Sequence, residues 1–482
     1  MANIQIKQAL SIEDKITLMK QDAAFDVADG EAGSGDADEQ GEPGGYGEDG
    51  GTGAPIGSWR SRSIADDRAY GRDEILIGGS SGFTGGAIDS GALTGSRTNG
   101  RFDAQQHNPL PPDALKRLSA MKGVPTAPKV FLSNDCIFNC SYCGCRNLFE
   151  GKTRYSCEPA EFARICMITA KAAGNKVFIT SAIYKNPDYT EQLIIETMRI
   201  MRKEYGYRGY LHAKVMPGTD PELIRQAGLY ADRLSVNIEV AKSEGYGVIA
   251  HQKNKTNILR PMGHISRLIQ ESKAEQSAYK PRFATSQSTQ LMAGSTGEDD
   301  FTILNLSNAL YGKYRLKRVY YTPYQYIYQA EGYEERPQVR TPRWRMTRLY
   351  QADRLMQLYG FKPEDIAPSD APNLVNEFDP KAAWALRNLH LFPIEVNTAD
   401  YEELIRIPGI GVVYAKRIIE ARRERRITHD VLKQLGVSLK RSKQFLTADG
   451  KFTGVRADSE QKYADVLRSP LIEPDGSDSA GC

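Results

Sequence analysis

The chain has 482 residues, 40% hydrophobic and 26% charged, an ordinary globular balance with room for two or three domains. No stretch approaches the ~18 consecutive apolar residues of a membrane span, and charges run through the first 25 residues (Lys7, Glu13, Asp14, Lys15, Lys20, Asp22), so the reading is a cytoplasmic protein with neither membrane anchor nor secretory leader. The net charge of +3 conceals an asymmetry: residues 1–50 hold twelve Asp/Glu and three Lys, a net −9, which leaves +12 on the other 432 residues, a basic body suited to an anionic partner.

Residues 1–25 contain a short amphipathic pattern around Ile12 to Met19. Most of residues 1–108 is Gly-, Asp- and Ser-rich, with too little apolar surface to offset the entropy of ordering, so it is expected to be disordered apart from a possible strand at Glu74–Ile77. Regular structure is expected from Leu110. Strands are expected at Lys129–Ser133, Lys176–Thr180, Tyr210–Val215, Arg233–Val240, within Arg282–Met292, and at Arg318–Thr322. Helices are expected at Pro159–Ala173 (stopped by Gly174), Thr190–Tyr205, Pro221–Ala227, near His264–Ser277 after an irregular stretch, and at Asp299–Tyr311. Six strands, each joined to the next by a helix, imply a parallel α/β sheet and fall short of a closed eight-stranded barrel. A helical bridge is expected over residues 329–394, with Arg343–Arg348 at the entry to the site, then a small all-α module over residues 395–447 and a flexible tail from 448.

The loop after the first strand carries Cys136, Cys140 and Cys143, spaced C-x3-C-x2-C, with Tyr142 just before the last. Three thiolates hold three irons of a 4Fe–4S cluster and leave the fourth iron open. A structural zinc site would favour paired CxxC knuckles or a nearby histidine, and neither is present. Cys145 competes for the cluster or is a spare small residue. Cys157, Cys166 and Cys482 are isolated, and Cys166 sits with Phe162 and Ile165 at helical core spacing. The six histidines are scattered without an HxH or HxxxH pair; His212 on the third strand faces either the site or the core. Tyr320, Tyr321, Tyr324, Tyr326 and Tyr328 crowd the sixth strand, to stack a nucleobase or to fill the barrel wall. On the fourth strand Ser235, Asn237 and Glu239 share one face by period two, and unliganded buried polar groups there would be costly.

Toward the C-terminus, Ile407-Pro408-Gly409-Ile410-Gly411-Val412 separates two predicted helices, Thr398–Ile405 (N-capped by Asn397 or Thr398) and Val413 to about Arg423. Glycines there let backbone approach a phosphate, the second helix points its first N–H groups at it, and Lys416 and Arg417 follow one turn on. Residues 404–445 carry eleven Lys/Arg against three Asp/Glu. DNA binding through Pro408, Gly409, Ile410, Gly411, Lys416 and Arg417 is one reading, and a protein–protein helical hairpin with a solvated basic face is the other.

The cysteine loop resembles the signature of the radical S-adenosylmethionine (SAM) superfamily, and the glycine hairpin resembles the helix-hairpin-helix module of DNA repair and uptake proteins. Together with NPDYT (Asn186–Thr190), DRLSVNIE (Asp232–Glu239), QSTQ (Gln287–Gln290), LKRVYY (Leu316–Tyr321) and DPKAAWALR (Asp379–Arg387), they resemble the DNA modification/repair radical SAM protein family over about Pro109 to Thr447. The resemblance implies a partial (β/α)6 barrel over residues 109–328 with the site at the C-terminal strand ends. It implies a 4Fe–4S cluster on Cys136, Cys140 and Cys143, with SAM on the open iron and a 5′-deoxyadenosyl radical directed at DNA. Tyr142, Ser181, Asn237, Glu239, Gln290 and Gly294 fall where the superfamily contacts SAM. Ser181 lies in Thr180-Ser181-Ala182-Ile183, which lacks the usual acidic residue, and Gly294 in Gln290–Glu298, which resembles the superfamily's GxIxGxxE segment. Implied partners are DNA, an electron donor such as flavodoxin or ferredoxin, and a uracil-DNA-glycosylase-like protein. The acidic Gly-rich N-terminal segment and Cys145 depart from the family. The alternatives are a radical SAM enzyme acting on tRNA or a small metabolite, and a non-catalytic iron–sulfur DNA-binding protein.

Overall fold

The computed structural model describes residues 14–16, 18–19, 127–148, 151–275, 282–324, 333, 341–454 and 460–471. The possible strand at Glu74–Ile77, together with Tyr326 and Tyr328, lies outside them. Residues 14–16 and 18–19 are helical, and Lys15 pairs with Glu161 at 2.7 Å.

Six parallel strands run in sequence order: β1 (Lys129–Phe131), β2 (Lys176–Thr180), β3 (Tyr210–Lys214), β4 (Arg233–Ser235), β5 (Ser286–Ala293) and β6 (Arg318–Pro323). The crossovers are helices α1 (Pro159–Ala172), α2 (Pro187–Arg199), α3 (Pro221–Gly228), α4 (Lys255–Ala274) and α5 (Asp300–Tyr314). An unclosed sheet of six such units is a half-barrel, as the alternating pattern implies. Its core is the apolar set that two-sided burial demands, with Val177, Ile179, Leu211, Leu234, Leu291 and Val319 fully buried.

Local chemistry starts the helices. The side chains of Asn186, Asp220 and Asp299 accept first-turn amides of α2, α3 and α5, with Pro at the start of α2 and α3. Helix α4 begins nine residues before its expected start near His264, because Asn254 and Asn257 form a reciprocal cap, and it runs through Pro261. Helix α2 continues as a π-turn over Ile200–Glu204.

Strand β4 is shorter than the expected Arg233–Val240. Beyond Ser235 the ladder opens, and the Thr289 hydroxyl fills the gap, accepting from Ile238 N at 2.9 Å and donating to Val236 O at 2.7 Å. Pairing resumes at Glu239, whose N donates to Gln290 O and whose O accepts from Met292 N, both at 2.9 Å. Glu239 has φ +62°, a left-handed conformation that a non-glycine residue holds only where its surroundings require it.

The bridge contains α6 (Arg343–Tyr359) and α7 (Pro380–Arg387). Arg345 and Arg348, expected at an entry, are internal struts. Arg345 bonds Asp300 Oδ1 at 2.8 Å and Glu298 O at 2.9 Å, and buried Arg348 donates to Asn376 O and Ser469 O at 2.7 and 2.6 Å. In the C-terminal module, α8 (Tyr401–Arg406) and α9 (Val412–Ala421) flank the glycine hairpin and α10 (His429–Gln434) follows. The N-cap of α8 is Asp400, in a capping box with Glu403, not Asn397 or Thr398. Asn397 instead exchanges two hydrogen bonds with the Ile427 backbone. The module is also not purely helical, since β7 (Ile394–Glu395) pairs in parallel with β8 (Leu446–Thr447). Within the segment expected to be a flexible tail, residues 460–467 form a helix that buries Leu467.

Candidate functional site

The cysteine loop lies at the C-terminal mouth of the half-barrel and is tied down on three sides. Ile137 N donates to Ile183 O at 2.9 Å, which fixes the loop to the end of β2, and Ser141 N donates to Ile249 O at 2.9 Å. Arg154 collects the loop's carbonyls, with Nη1 on Asn134 O and Cys145 O (2.7 and 2.9 Å) and Nη2 on Arg146 O and Asn147 O (2.5 and 3.3 Å). Lys152 takes Gly144 O at 2.7 Å.

Burial pushes the Cys136 thiol up to about 11 and the Cys140 thiol up to about 12, and in both the neighbouring loop cysteines add to the shift. Two backbone amides already face these sulfurs: Phe138 N lies 3.4 Å from Cys136 Sγ and Cys145 N 3.4 Å from Cys143 Sγ. Among the described residues no group of three His, Cys, Asp or Glu side chains gathers on one point as a single metal ion requires. Cys143 raises the Cys136 pKa, and Cys143 and Cys136 raise that of Cys140, so the three thiols are near neighbours, and a cluster whose irons take one thiolate each needs three such donors. Buried thiols of high pKa ionise when metal charge offsets the desolvation, so the donor set fits an iron–sulfur group. Cys145 is buried beside Lys152, whose Nζ lies 3.9 Å from its sulfur. Cys157 and Cys166 are core residues whose thiols burial pushes up.

The residues singled out at the strand ends meet this loop through Lys253, which the sequence reading passed over. Its Nζ donates at 2.8 Å both to Glu239 Oε1 and to the Tyr142 hydroxyl, and it sits 5.5 Å from the Tyr142 ring centroid. Burial disfavours the ammonium, yet Glu239 and the cysteines outweigh that and hold the Lys253 pKa above its ordinary value. Burial, then Glu239, pushes the Tyr142 phenol up. Tyr142 thus belongs to a Tyr142–Lys253–Glu239 chain linking the loop to the β4 bulge. Two residues before Glu239, Asn237 Nδ2 donates to Gln290 Oε1 at 3.1 Å, and Gln290 reaches Thr322 Oγ1 at 3.4 Å. Ser181 is buried at the end of β2, and among the described residues its hydroxyl makes no hydrogen bond.

Gly294 has φ +81°, and a Cβ there would lie 2.1 Å from Thr341 Oγ1, so the glycine is required by packing within the chain. Glu298 braces the same turn, accepting from Gly294 N at 2.5 Å and Thr296 N at 2.9 Å. His212 is a core histidine: it stacks on Phe178 at 3.9 Å, bonds Ser235 Oγ at 2.9 Å, and burial holds its pKa well below the usual value. Tyr321 and Tyr324 are buried in the wall of the half-barrel, and Tyr321 bonds Ser307 and Asp353.

In the hairpin, Pro408 and Ile410 are buried, while Lys416 and Arg417 are exposed on α9. The hairpin packs on the bridge. Lys381 Nζ of α7 donates to Ile410 O at 2.5 Å, a Cβ on Gly411 would lie 3.1 Å from the Tyr359 hydroxyl, and Arg441 pairs with Asp379. Arg406 lies over the Phe361 ring at 3.7 Å.

Residues 393–435 match the family model described as a helix-hairpin-helix motif. No curated protein matches the sequence. Among solved structures, the chain is similar to the FeFe-hydrogenase maturase HydG from Carboxydothermus hydrogenoformans, at 14% identity and a TM-score of 0.32 over 71% of this chain. The chain spans 65% of that protein's length. Among the described residues no helix is long and apolar enough to cross a membrane.

Proposed function

We propose that this chain is a radical SAM enzyme that modifies or repairs DNA. The observation that carries the reading is the loop of three neighbouring thiols at the mouth of the half-barrel, Cys140 buried and Cys136 and Cys143 half-buried, joined through Lys253 to Glu239 and Tyr142. Cys136, Cys140 and Cys143 would hold three irons of a 4Fe–4S cluster. With SAM, that group supplies one-electron cleavage of a C–S bond to a 5′-deoxyadenosyl radical, which takes a hydrogen atom from an unactivated carbon.

The chain's own residues prepare the site. The amides of Phe138 and Cys145 donate to sulfur and favour the thiolates. Lys253 pairs with Glu239 at 2.8 Å and holds its carboxylate in place as an acceptor for the ammonium or ribose hydroxyls of SAM. Asn237, Gln290 and the Ser181 hydroxyl present further polar atoms on neighbouring strand ends. Burial of Cys140, Glu239 and Asn237 keeps bulk water from the reacting centre. A half-barrel mouth does not reach inside a duplex, so the target nucleotide is flipped out or single-stranded. Lys416 and Arg417 hold the phosphate backbone. A flavodoxin or ferredoxin would deliver the electron, and a uracil-DNA-glycosylase-like protein is a candidate partner.

One observation favours a second reading. Lys381 and Tyr359 occupy the hairpin, which suits an intramolecular joint and a barrel acting on tRNA or a small metabolite. One assay decides. Anaerobically reconstituted protein given SAM, dithionite and site-labelled deuterated DNA is expected to form 5′-deoxyadenosine carrying deuterium. 5′-Deoxyadenosine formed without label transfer from DNA supports the second reading, and none at all from a fully loaded cluster counts against catalysis.

A further inference from the structure

The candidate site has a neighbour. A cleft of about 1200 Å³ opens beside it, between the loop that follows β3 (Gly218–Pro221) and the first two thirds of α4 (Lys255–Arg267). Tyr246 and Lys253 form part of its wall, so the cleft shares Lys253 with the Tyr142–Lys253–Glu239 chain. Its lining is about half polar and half apolar, and among its charged groups Lys253, Lys255, Arg260 and Arg267 stand against two carboxylates, Asp188 and Asp220.

Those carboxylates are already engaged with backbone. Asp188 Oδ1 accepts from Asp220 N at 2.8 Å, and Asp220 Oδ1 accepts from Glu222 N at 2.8 Å as the cap of α3. Among the cations, Lys253 is bound to Glu239, and Arg267 pairs with Glu271 at 2.7 Å. Lys255 and Arg260 are exposed, and among the described residues neither meets a carboxylate within ion-pair distance. Lys255, near enough to Glu244 to feel its charge, and Arg260 are thus the cations of the α4 side that stand outside ion pairs, while Asp188 and Asp220 are held at the starts of α2 and α3, so an anion lying along α4 beside the reaction centre meets two positive charges.

We propose that this cleft holds the phosphodiester backbone of a single DNA strand, with Lys255 and Arg260 as its phosphate contacts, so that one adjoining nucleotide reaches the cysteine loop. The proposal rests on the reading that the barrel acts on DNA, and it adds a contact separate from α9. Strand binding then has two parts: the module takes backbone at Lys416 and Arg417, and the cleft takes backbone next to the target.

The test uses the reconstituted full chain and a fluorescein-labelled 12-nucleotide single strand, titrated by anisotropy from 50 to 200 mM KCl. Loss of two phosphate contacts lowers the slope of log K against log salt by about 1.4 for a single strand. The K255E/R260E variant is therefore expected to bind at least tenfold more weakly at 100 mM KCl with that smaller slope. It should keep its iron content and far-ultraviolet circular dichroism, because both residues are exposed. A K416A/R417A variant should lose its own share of the slope independently. If wild type and K416A/R417A behave as expected while K255E/R260E matches wild type in affinity and slope, the cleft contact is overturned and the DNA reading stands. If wild type itself shows no salt-dependent binding, both fall.

Discussion

Lys381→Met tests how the bridge and the hairpin are joined. The Lys381 ammonium is buried near the Tyr359 ring, and burial pulls its pKa from 10.5 to about 7 even though Asp379 opposes the shift. Below about pH 7 the folded protein carries the full cost of the buried charge, about 5 kcal/mol for a shift of roughly 3.5 pKa units. The folded pKa lies below the unfolded one, so between the two the unfolded chain binds more protons and stability rises with pH. From pH 6 to pH 9 that rise is about 2.7 kcal/mol. Methionine keeps a similar apolar stem and removes the charge, but it leaves Ile410 O without its donor, at a cost of about 1–3 kcal/mol that does not depend on pH. The variant is therefore expected to be more stable than wild type by about 2–4 kcal/mol at pH 6 and close to it at pH 9. Urea unfolding of the full chain at pH 6, 7.5 and 9 measures this. Parallel pH profiles for the two proteins would refute the buried, depressed amine, whatever their absolute stabilities.

Two further substitutions probe the site's supports. Thr289→Val keeps the volume and removes the hydroxyl that bridges Val236 O and Ile238 N, so it should lower stability by about 2–4 kcal/mol and, on the proposed function, raise the KM for SAM by releasing Asn237 and Glu239. A thermal midpoint unchanged from wild type would show that the ladder closes without that hydroxyl. Arg154→Met frees four loop carbonyls, so iron bound per chain after reconstitution should fall while the far-ultraviolet spectrum is retained. Full iron loading would show that the loop needs no clamp.

The half-barrel was legible because each of its units is local. Every β–α pair spans a few tens of residues, and the caps Asn186, Asp220 and Asp299 sit next to the helices they start. The cysteine spacing is likewise read within nine residues. Where the reading failed, the deciding partner lies far off in sequence. Period two placed Asn237 and Glu239 on one face, but a hydroxyl about fifty residues away, on Thr289, opens the ladder and leaves Glu239 in the left-handed region, facing Lys253. Lys253 itself bonds Tyr142, 111 positions earlier, and nothing around it in the sequence marks it out. The same limit governs the hairpin. Its glycines announce that something comes close to the backbone, but close approach is equally well made by a phosphate or by this chain's own Tyr359 and Lys381. Deciding between them takes a contact map or a binding curve, because the local requirement at Gly409 and Gly411 is the same in both cases.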